Sequence, residues 1–528
     1  MATRGKRRVM DQISQLPDPI LLHILFFLPA KDAAQTSVLS KTWLKVWNSL
    51  PLFTFDFCQN ISLWKLLSTQ KEESEQVDVR DAFLNIIDGS LVNLRVQKAI
   101  IEKFRLFLKL SYLRNVSCID EWIRLATNNC IKELDVHIKR QYKEDWYSLP
   151  GTTFTAKSLI VLRLGGFKLD FPLIVDHMKL TKLRELSLTD VLLEEQTILE
   201  ICSAYPAVED LRLIRCEGVK DLLISDLPRL IKLTIHQANE ITWEYRSIRI
   251  QAVNLQSLYY KGCNRQLKFD VTTFKLLKEL SITNELITDL VVENLVSELP
   301  LLEKLELNFC FKLMTLKFSS CMLRQLTFRS GKSLMEIVID TPNLIRFEYG
   351  ASKLPVIFSL TTSSLQECYL KLMPSDHLST SWFQNLKEYL SRFKQLNLLV
   401  LSIDSTTNTF IVEELNGALS CALSVVKLVK IKKVMESLNF ETLLDGLLWT
   451  CHPETLSIDR TWEHNEDFVQ FLREKLMQRE IAPVCCDSRR IKCWRHYLKE
   501  IEVESSTRQY GNPSSSSRVS TVCFKLTW

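Results

Sequence analysis

Glycine is scarce in this chain, 12 in 528 residues, and that scarcity excludes a good deal of chemistry. No G-x-x-x-x-G-K-[ST] or G-x-G-x-x-G run is present, and the one adjacent pair is Gly165-Gly166. A loop that cradles phosphate with close-packed backbone N–H groups is therefore not encoded. G-x-S-x-G and H-E-x-x-H are absent too, which argues against a serine hydrolase or a zinc peptidase. Charge of one sign is also lacking. The 67 Lys+Arg against 62 Asp+Glu leave +5, too weak and dispersed for a nucleic-acid or membrane surface. No apolar run approaches the ~20 residues that span a bilayer, the longest candidate being broken by His23 and Pro29. Arg4, Lys6, Arg7 and Arg8 lead into Asp11 and Gln12 and not into an apolar secretory run. The 15 scattered cysteines then read as free thiols of a reducing compartment. The expectation is a soluble protein of the nucleus or cytoplasm, with Lys6-Arg7-Arg8 as a short basic cluster of the import type, and with no nucleic-acid or membrane partner.

What the chain does have is apolar side chains, 46% of the total against 24% charged, enough for two to four folded domains. They crowd residues 15–47, QLPDPILLHILFFLPAKDAAQTSVLSKTWLKVW. On a helix starting at the Pro17–Pro19 turn, Ile20, Leu21, Ile24, Leu25 and Leu28 form one stripe, and Leu22, Phe26 and Phe27 another. A module this small has one inside. One stripe is expected to face a second helical segment carrying Val38, Leu39, Trp43, Leu44 and Trp47, leaving the other for a partner. Asp32 with Gln35 reads as a capping pair for the second segment, and Ser40 as the cap of a third. Each large apolar side chain that a partner buries would contribute roughly 1.5–3 kcal/mol.

The order Leu16-Pro17, Ile20-Leu21, Ile24-Leu25, Leu28-Pro29, Ser37, Leu39-Ser40-Lys41 and Trp43…Trp47 resembles an F-box, in particular its plant form. The resemblance covers residues 13–57. It implies docking on the Skp-family adaptor of a cullin-RING ubiquitin ligase through Leu16, Pro17, Ile20, Leu21, Ile24, Leu25, Leu28, Pro29, Leu39, Trp43 and Trp47.

Further on, an L-x-x-L-x-L template with apolar substitutes begins at Leu159, Leu183, Val208, Leu230, Leu255, Leu277, Leu302, Leu323, Leu344 and Leu365, at intervals of 21–25 residues. That is a leucine-rich-repeat period. The alternation argues for a short strand, and the remainder, such as 194–205, leaves room for a helix. One such coil cannot bury its leucines, whereas stacked coils can. Ile131 and Leu396 extend the array to 131–404. Leu334 starts a further match, LMEIVI, out of phase with its neighbours, and the register between 323 and 344 stays open. Cys216, Cys263 and Cys310 fall eight residues after a template start, the slot where leucine-rich repeats carry Asn or Cys bonded to the turning backbone. These are expected to be structural thiols.

The fold class expected is α/β: a helical F-box, then an irregular leucine-rich solenoid with parallel strands on the concave face, then an α+β segment. Residues 1–12 are expected to be a basic disordered stretch, 58–130 a helical connector with helix-like spacing at Phe83, Ile86, Ile87, Trp122, Ile123 and Ala126, and 505–528 a Ser-rich tail whose closing VCFKLTW could pair as a strand. Within 405–504, Cys451-His452-Pro453, Leu456 and Cys493-Trp494-Arg495-His496 resemble the FBD segment of plant F-box proteins. Cys485, Cys486, Cys493 and His496 lack the paired spacing of a zinc site. Neither metal nor cofactor is expected, and no cysteine sits in an activating motif for thiol transfer. Lys427, Lys430, Lys432 and Lys433 alternate with apolar residues as on a solvated strand face.

Counting two, four and six from each template start gives residues of both charge signs on the concave face, which suits a protein partner better than a polyanion. Arg212, Ile214, His236, Tyr259 and Lys261 are the candidate target contacts, being of types enriched at binding hot spots. The reading is a non-catalytic, substrate-recognition subunit of an SCF-type ligase, with a Skp-family adaptor, through it a cullin, and an unidentified target protein as partners. A non-degradative scaffold and a small-molecule-sensing receptor are the alternatives.

Overall fold

The computed structural model describes residues 13, 16–26, 28, 36, 38–48, 52–56, 102–109, 117–128, 131–140, 146–149, 153–154, 156–169, 180–237, 245, 247–250, 251–262, 273–330, 332–393, 396–411, 424–462, 464–477, 494–510 and 517–528. The chain divides into two compact units, Met1–Ala252 and Val253–Trp528.

In the first unit two helices, Asp18–Phe26 and Lys41–Asn48, precede a ladder of parallel strands. Its members in spatial order are Leu52–Asp56, Lys103–Lys109, Glu133–Lys139, Val161–Gly165, Glu185–Thr189, Asp210–Ile214 and Lys232–His236. Each strand from Val161 onward starts two residues after a template start, and Ile131, Leu159, Leu183, Val208 and Leu230 are all buried. Alternation does the rest: Leu211 and Leu213 point into the coil while Asp210, Arg212 and Ile214 stay half-buried on the other face. The helix Glu195–Ala204 closes one repeat, with Ile198, Ile201 and Cys202 turned inward.

The ladder begins upstream of residue 131. Within the expected helical connector, Lys103–Lys109 is a strand paired in register with Glu133–Lys139. Its sequence KFRLFLK alternates, burying Phe104, Leu106 and Leu108, so the period-2 signal decides over a helix there. The connector's later part is helical as expected, Ser117–Thr127 burying Ile119, Trp122, Ile123 and Ala126. Phe83, Ile86 and Ile87 lie outside the described residues.

In the second unit the parallel ladder runs Ser257–Lys261, Glu279–Thr283, Lys304–Asn308, Gln325–Arg329, Arg346–Ala351, Glu367–Leu372, Leu396–Ser402, Ser424–Lys433 and Cys451–Asp459. It thus continues past residue 404. The antiparallel hairpin Glu500–Tyr510 and Ser517–Thr527 closes it, pairing Ser517–Thr527 with Cys451–Asp459. The closing VCFKLTW thus pairs as its alternation allows, within a strand that begins at residue 517, with Val522 and Phe524 fully buried. The open register near 334 resolves into two sheets. The Leu323 and Leu344 templates feed the main ladder, while Glu336–Asp340 pairs with Thr315–Ser319 and Ile357–Thr361 in a separate three-stranded parallel sheet. Among the described residues no helix is long and apolar enough to cross a membrane.

Candidate functional site

The first surface is built by the two opening helices. Pro17 sets the start, its carbonyl accepting from the Ile20 N–H at 2.9 Å, and Asp18 places a carboxylate in the first turn. Ser40 caps the second helix, its Oγ accepting from the Trp43 N–H at 3.2 Å. Leu21, Leu25, Trp43 and Val46 form a closed core, with Leu16, Leu22, Ile24 and Leu28 packed partly against it. Among the described residues that core is drawn from residues 16–46, and Lys45 ties back to Asp18 across its edge at 2.9 Å.

Outside it, Ile20 is 48% exposed, Val38 85%, Leu39 65% and Leu44 45%. The sequence pattern groups Val38, Leu39 and Leu44 with the inner face of the second segment. The structure turns them outward, because Trp43 and Val46, three apart on the helix, fill the inside. Leu21, Leu25 and Trp43, expected at the partner surface, instead hold the module together, while Ile20 and Leu39 remain available to a partner. Pro17 is exposed, and Leu16, Ile24 and Leu28 are half-buried. The side chains of Pro29 and Trp47, and the Asp32–Gln35 pair, lie outside the described residues.

The second surface is the polar face of the repeat strands. In the first unit it carries a chain of alternating charges. Arg105 meets Asp135 at 2.9 Å, Arg163 meets Glu185 at 2.9 Å, and Arg212 meets Asp210 at 2.7 Å. Weaker contacts of Arg163 with Asp135 and of Arg212 with Glu185 link the pairs. Burial pushes the Asp135 carboxyl up, but His137, Arg105 and Arg163 outweigh it and hold the group below the usual carboxylate range. Phe107 stacks on His137 with centroids 4.8 Å apart, and His137 lies across Gly165, where a Cβ would come within 2.0 Å of its Nδ1. Ile214 and His236 are register partners on adjacent strands, both half-buried.

Of the five candidate target contacts, Arg212, Ile214 and His236 thus come together in the first unit. Tyr259 and Lys261 share a strand of the second unit. Arg212 is committed to Asp210 and Glu185, and the Tyr259 hydroxyl donates to Glu279 at 2.5 Å. Further along that face Glu348 is buried, accepting from Arg329 at 2.7 Å and Lys371 at 2.5 Å. Burial raises its carboxyl, yet these two cations bring it below the ordinary range.

Cys216 and Cys310 occupy the inward slot as expected. The Cys216 Sγ lies 3.5 Å from the Leu188 carbonyl oxygen and the Cys310 Sγ 3.4 Å from that of Asn308, and burial pushes both thiols up to about 12. Thiols so displaced are poor nucleophiles at neutral pH. Cys263, Cys485, Cys486 and Cys493 lie outside the described residues, among which no group of His, Cys, Asp and Glu is arranged to hold a metal. Lys427 and Lys432 are exposed as on a solvated strand face, whereas Lys430 and Lys433 are half-buried and sit near Asp459 and Asp404. In the C-terminal segment Trp494 donates its indole N–H to Asp445 at 2.6 Å, with Arg495 beside both. His452 stacks on Trp528 at 4.0 Å.

The geometry has counterparts among known proteins. The F-box domain family matches residues 13–55, and the family described as At1g61320/AtMIF1, LRR domain, matches residues 96–276. The chain carries an F-box and a leucine-rich-repeat domain. That match starts upstream of residue 131, as the paired strand Lys103–Lys109 does. Relatives of these F-box and repeat domains come from Arabidopsis thaliana. F-box protein At4g09920 is 34% identical over 43% of this chain and 66% of its own length. FBD-associated F-box protein At4g10400 is 35% identical over 38% and 44%, and F-box/LRR-repeat protein At3g58930 is 29% identical over 39% and 42%. The chain spans about half the length of the curated relatives it matches. F-box/leucine-rich-repeat proteins are generally non-catalytic substrate adaptors of SCF ligases, the F-box being the part that binds a Skp-family adaptor.

Proposed function

We propose that this chain is the substrate-recognition subunit of an SCF-type ubiquitin ligase. Its F-box attaches to a Skp-family adaptor, and through it to a cullin, while the leucine-rich repeats hold a target protein for ubiquitination. The observation that supports this reading best is the opening module, which completes its core from Leu21, Leu25, Trp43 and Val46 and still exposes Ile20, Val38, Leu39 and Leu44. A handful of such side chains, each contributing roughly 1.5–3 kcal/mol on burial, is enough to hold a complex after the cost of association.

On this reading the chain catalyses nothing itself. Holding target and conjugating enzyme in one assembly raises the effective concentration of a target lysine. The assembly would work in the nucleus or cytoplasm, where a fluorescent fusion would be seen. Purified chain mixed with a Skp-family adaptor is expected to co-migrate in gel filtration, and depleting the chain in cells is expected to raise the abundance of its captured partner. Failure to associate with any Skp-family adaptor would defeat the proposal. Unchanged partner abundance would replace degradation by scaffolding.

A further inference from the structure

The rim of the second unit's ladder holds a cavity of about 190 Å³, lined by Lys353, Leu354, Pro374, Asp376, Trp382 and Asn385 together with two serines. It lies directly beyond paired strand ends. Ala351 and Leu372 are register partners, and the Met373 N–H donates to the Ala351 carbonyl at 3.1 Å before the walls begin.

The walls are fixed in place. Tyr349 donates to the Lys353 carbonyl at 2.9 Å, and the Lys353 N–H donates to Ser333 at 2.6 Å. On the next coil the Pro374 carbonyl accepts from the Asp404 and Ser405 N–H groups at 3.0 and 3.2 Å. Trp382 stands in the first turn of the helix Thr380–Ser391, its N–H capped by the Ser379 side chain, and its ring meets buried Phe383 edge-on at 5.0 Å. A cavity held this way binds without a large ordering cost.

Its size sets the scale of the occupant. A cavity of about 150 Å³ takes a benzene ring, so this one admits a single branched or aromatic side chain and little more. It is smaller than the roughly 300–1,000 Å³ of sites for drug-sized ligands. Trp382, Pro374 and Leu354 supply the apolar contact.

Its charge sets the chemistry. The lining carries one group of each sign, Lys353 and Asp376, joined at 2.6 Å with side chains 64% and 67% exposed. The lining is therefore neutral as a whole. Arg329 and Lys371 lie outside it, and both are bonded to buried Glu348. A ligand with a single charge would satisfy one member of the pair and repel the other. A ligand with both signs on neighbouring groups instead lies antiparallel to the pair, anion on Lys353 and cation on Asp376, with no charge left over. The pair itself need not break, because an ammonium has three donors and a carboxylate several acceptor sites, so each can hold a second partner. The smallest molecule with both signs beside one apolar side chain is a free α-amino acid.

We infer that this cavity binds a free α-amino acid with a branched or aromatic side chain, the side chain resting against Trp382, Pro374 and Leu354, the carboxylate accepting from Lys353 and the ammonium donating to Asp376. The inference goes beyond the ligase reading and does not rest on it. Exposed ion contacts are weak in water, so burial of the side chain supplies most of the affinity, and a Kd on the order of 1 mM is expected for L-leucine or L-phenylalanine. Ligand-observed NMR on the full chain compares these two with glycine, which lacks the side chain, and with two single-charge analogues, N-acetyl-L-phenylalanine and L-phenylalanine amide. Glycine and both analogues should bind at least about tenfold more weakly. Asn385→Trp, which fills the cavity from an exposed helix position, should weaken the bound amino acid about tenfold or more. Lys353→Gln should narrow the gap between phenylalanine and its amide, and Asp376→Asn the gap between phenylalanine and its acetyl form. Both are exposed changes with little bearing on folding, and circular dichroism checks that each variant is folded. No binding by either amino acid, an analogue binding as well as phenylalanine, or undiminished binding by a folded Asn385→Trp variant would overturn it. Adaptor binding is read separately on the same protein, so failure here is distinct from failure of the ligase reading.

Discussion

Single residues divide the opening module into a part that folds and a part that faces out. Leu21 and Leu25 are fully enclosed, so Leu21→Ala or Leu25→Ala is expected to cost about 2–5 kcal/mol of module stability. Hydrogen exchange across residues 16–48 would register that loss, while Leu39→Ala should leave exchange there nearly unchanged. His452 gives a pH dependence. Burial, with Lys387 nearby, lowers its imidazole to about 4, against about 6.5 in an unfolded chain. Below pH ~6.5 the unfolded chain takes up a proton that the folded chain refuses, so stability is full above that pH and is lost as pH falls toward about 4. Urea titrations at pH 7 and pH 5 should show the drop, and His452→Gln should reduce it. An unchanged pH slope in the variant would argue that His452 is not kept neutral by its burial and by Lys387.

At the scale of elements, two glycines in equivalent strands make opposite predictions. Gly165→Ala drives a Cβ into His137 and should destabilise the first unit, with His137→Ala restoring much of the loss in a double-mutant cycle. Gly350→Ala meets only ordinary contacts and should be neutral or stabilising by about 0.4–1 kcal/mol. Thermal melts of the four variants decide both.

Elements are also where the sequence was most and least legible. The buried template positions were plain, because leucines such as Leu159, Leu183 and Leu302 recur at repeat spacing and each sits at the start of its coil. The strand at Glu336–Asp340 was visible as alternation, but alternation specifies a strand and not the sheet it joins, so its membership in the separate sheet could not be read. The last strand is legible in VCFKLTW, whose alternation allows pairing, whereas its extension through Ser517–Thr521 and its partner Ser505–Tyr510 are rich in Ser, Thr, Arg and Gln, a composition shared with mobile tails. In the candidate site the error ran the other way. A helix wheel marks Leu21, Leu25 and Trp43 as apolar without saying which apolar stripe faces inward. Val46 is the fourth core member, and its spacing of three from Trp43 is the signal for it.

For the whole molecule, the mixed charge of the repeat face and the apolar surface of the F-box are two chemically different surfaces in one chain. The paired Arg105–Asp135, Arg163–Glu185 and Arg212–Asp210 row neutralises itself, which disfavours a polyanion. Among the described residues the F-box surface offers mainly apolar area through Ile20, Val38, Leu39 and Leu44, with the exposed Lys45–Asp18 pair beside it. The most direct measurement of the account is calorimetric titration of a purified Skp-family adaptor into the full chain and into its Val38→Asp/Leu39→Asp variant, with a thermal melt of each. The account predicts that the variant melts like the parent and binds the adaptor at least about tenfold more weakly. Equal binding by a variant that melts like the parent would contradict it.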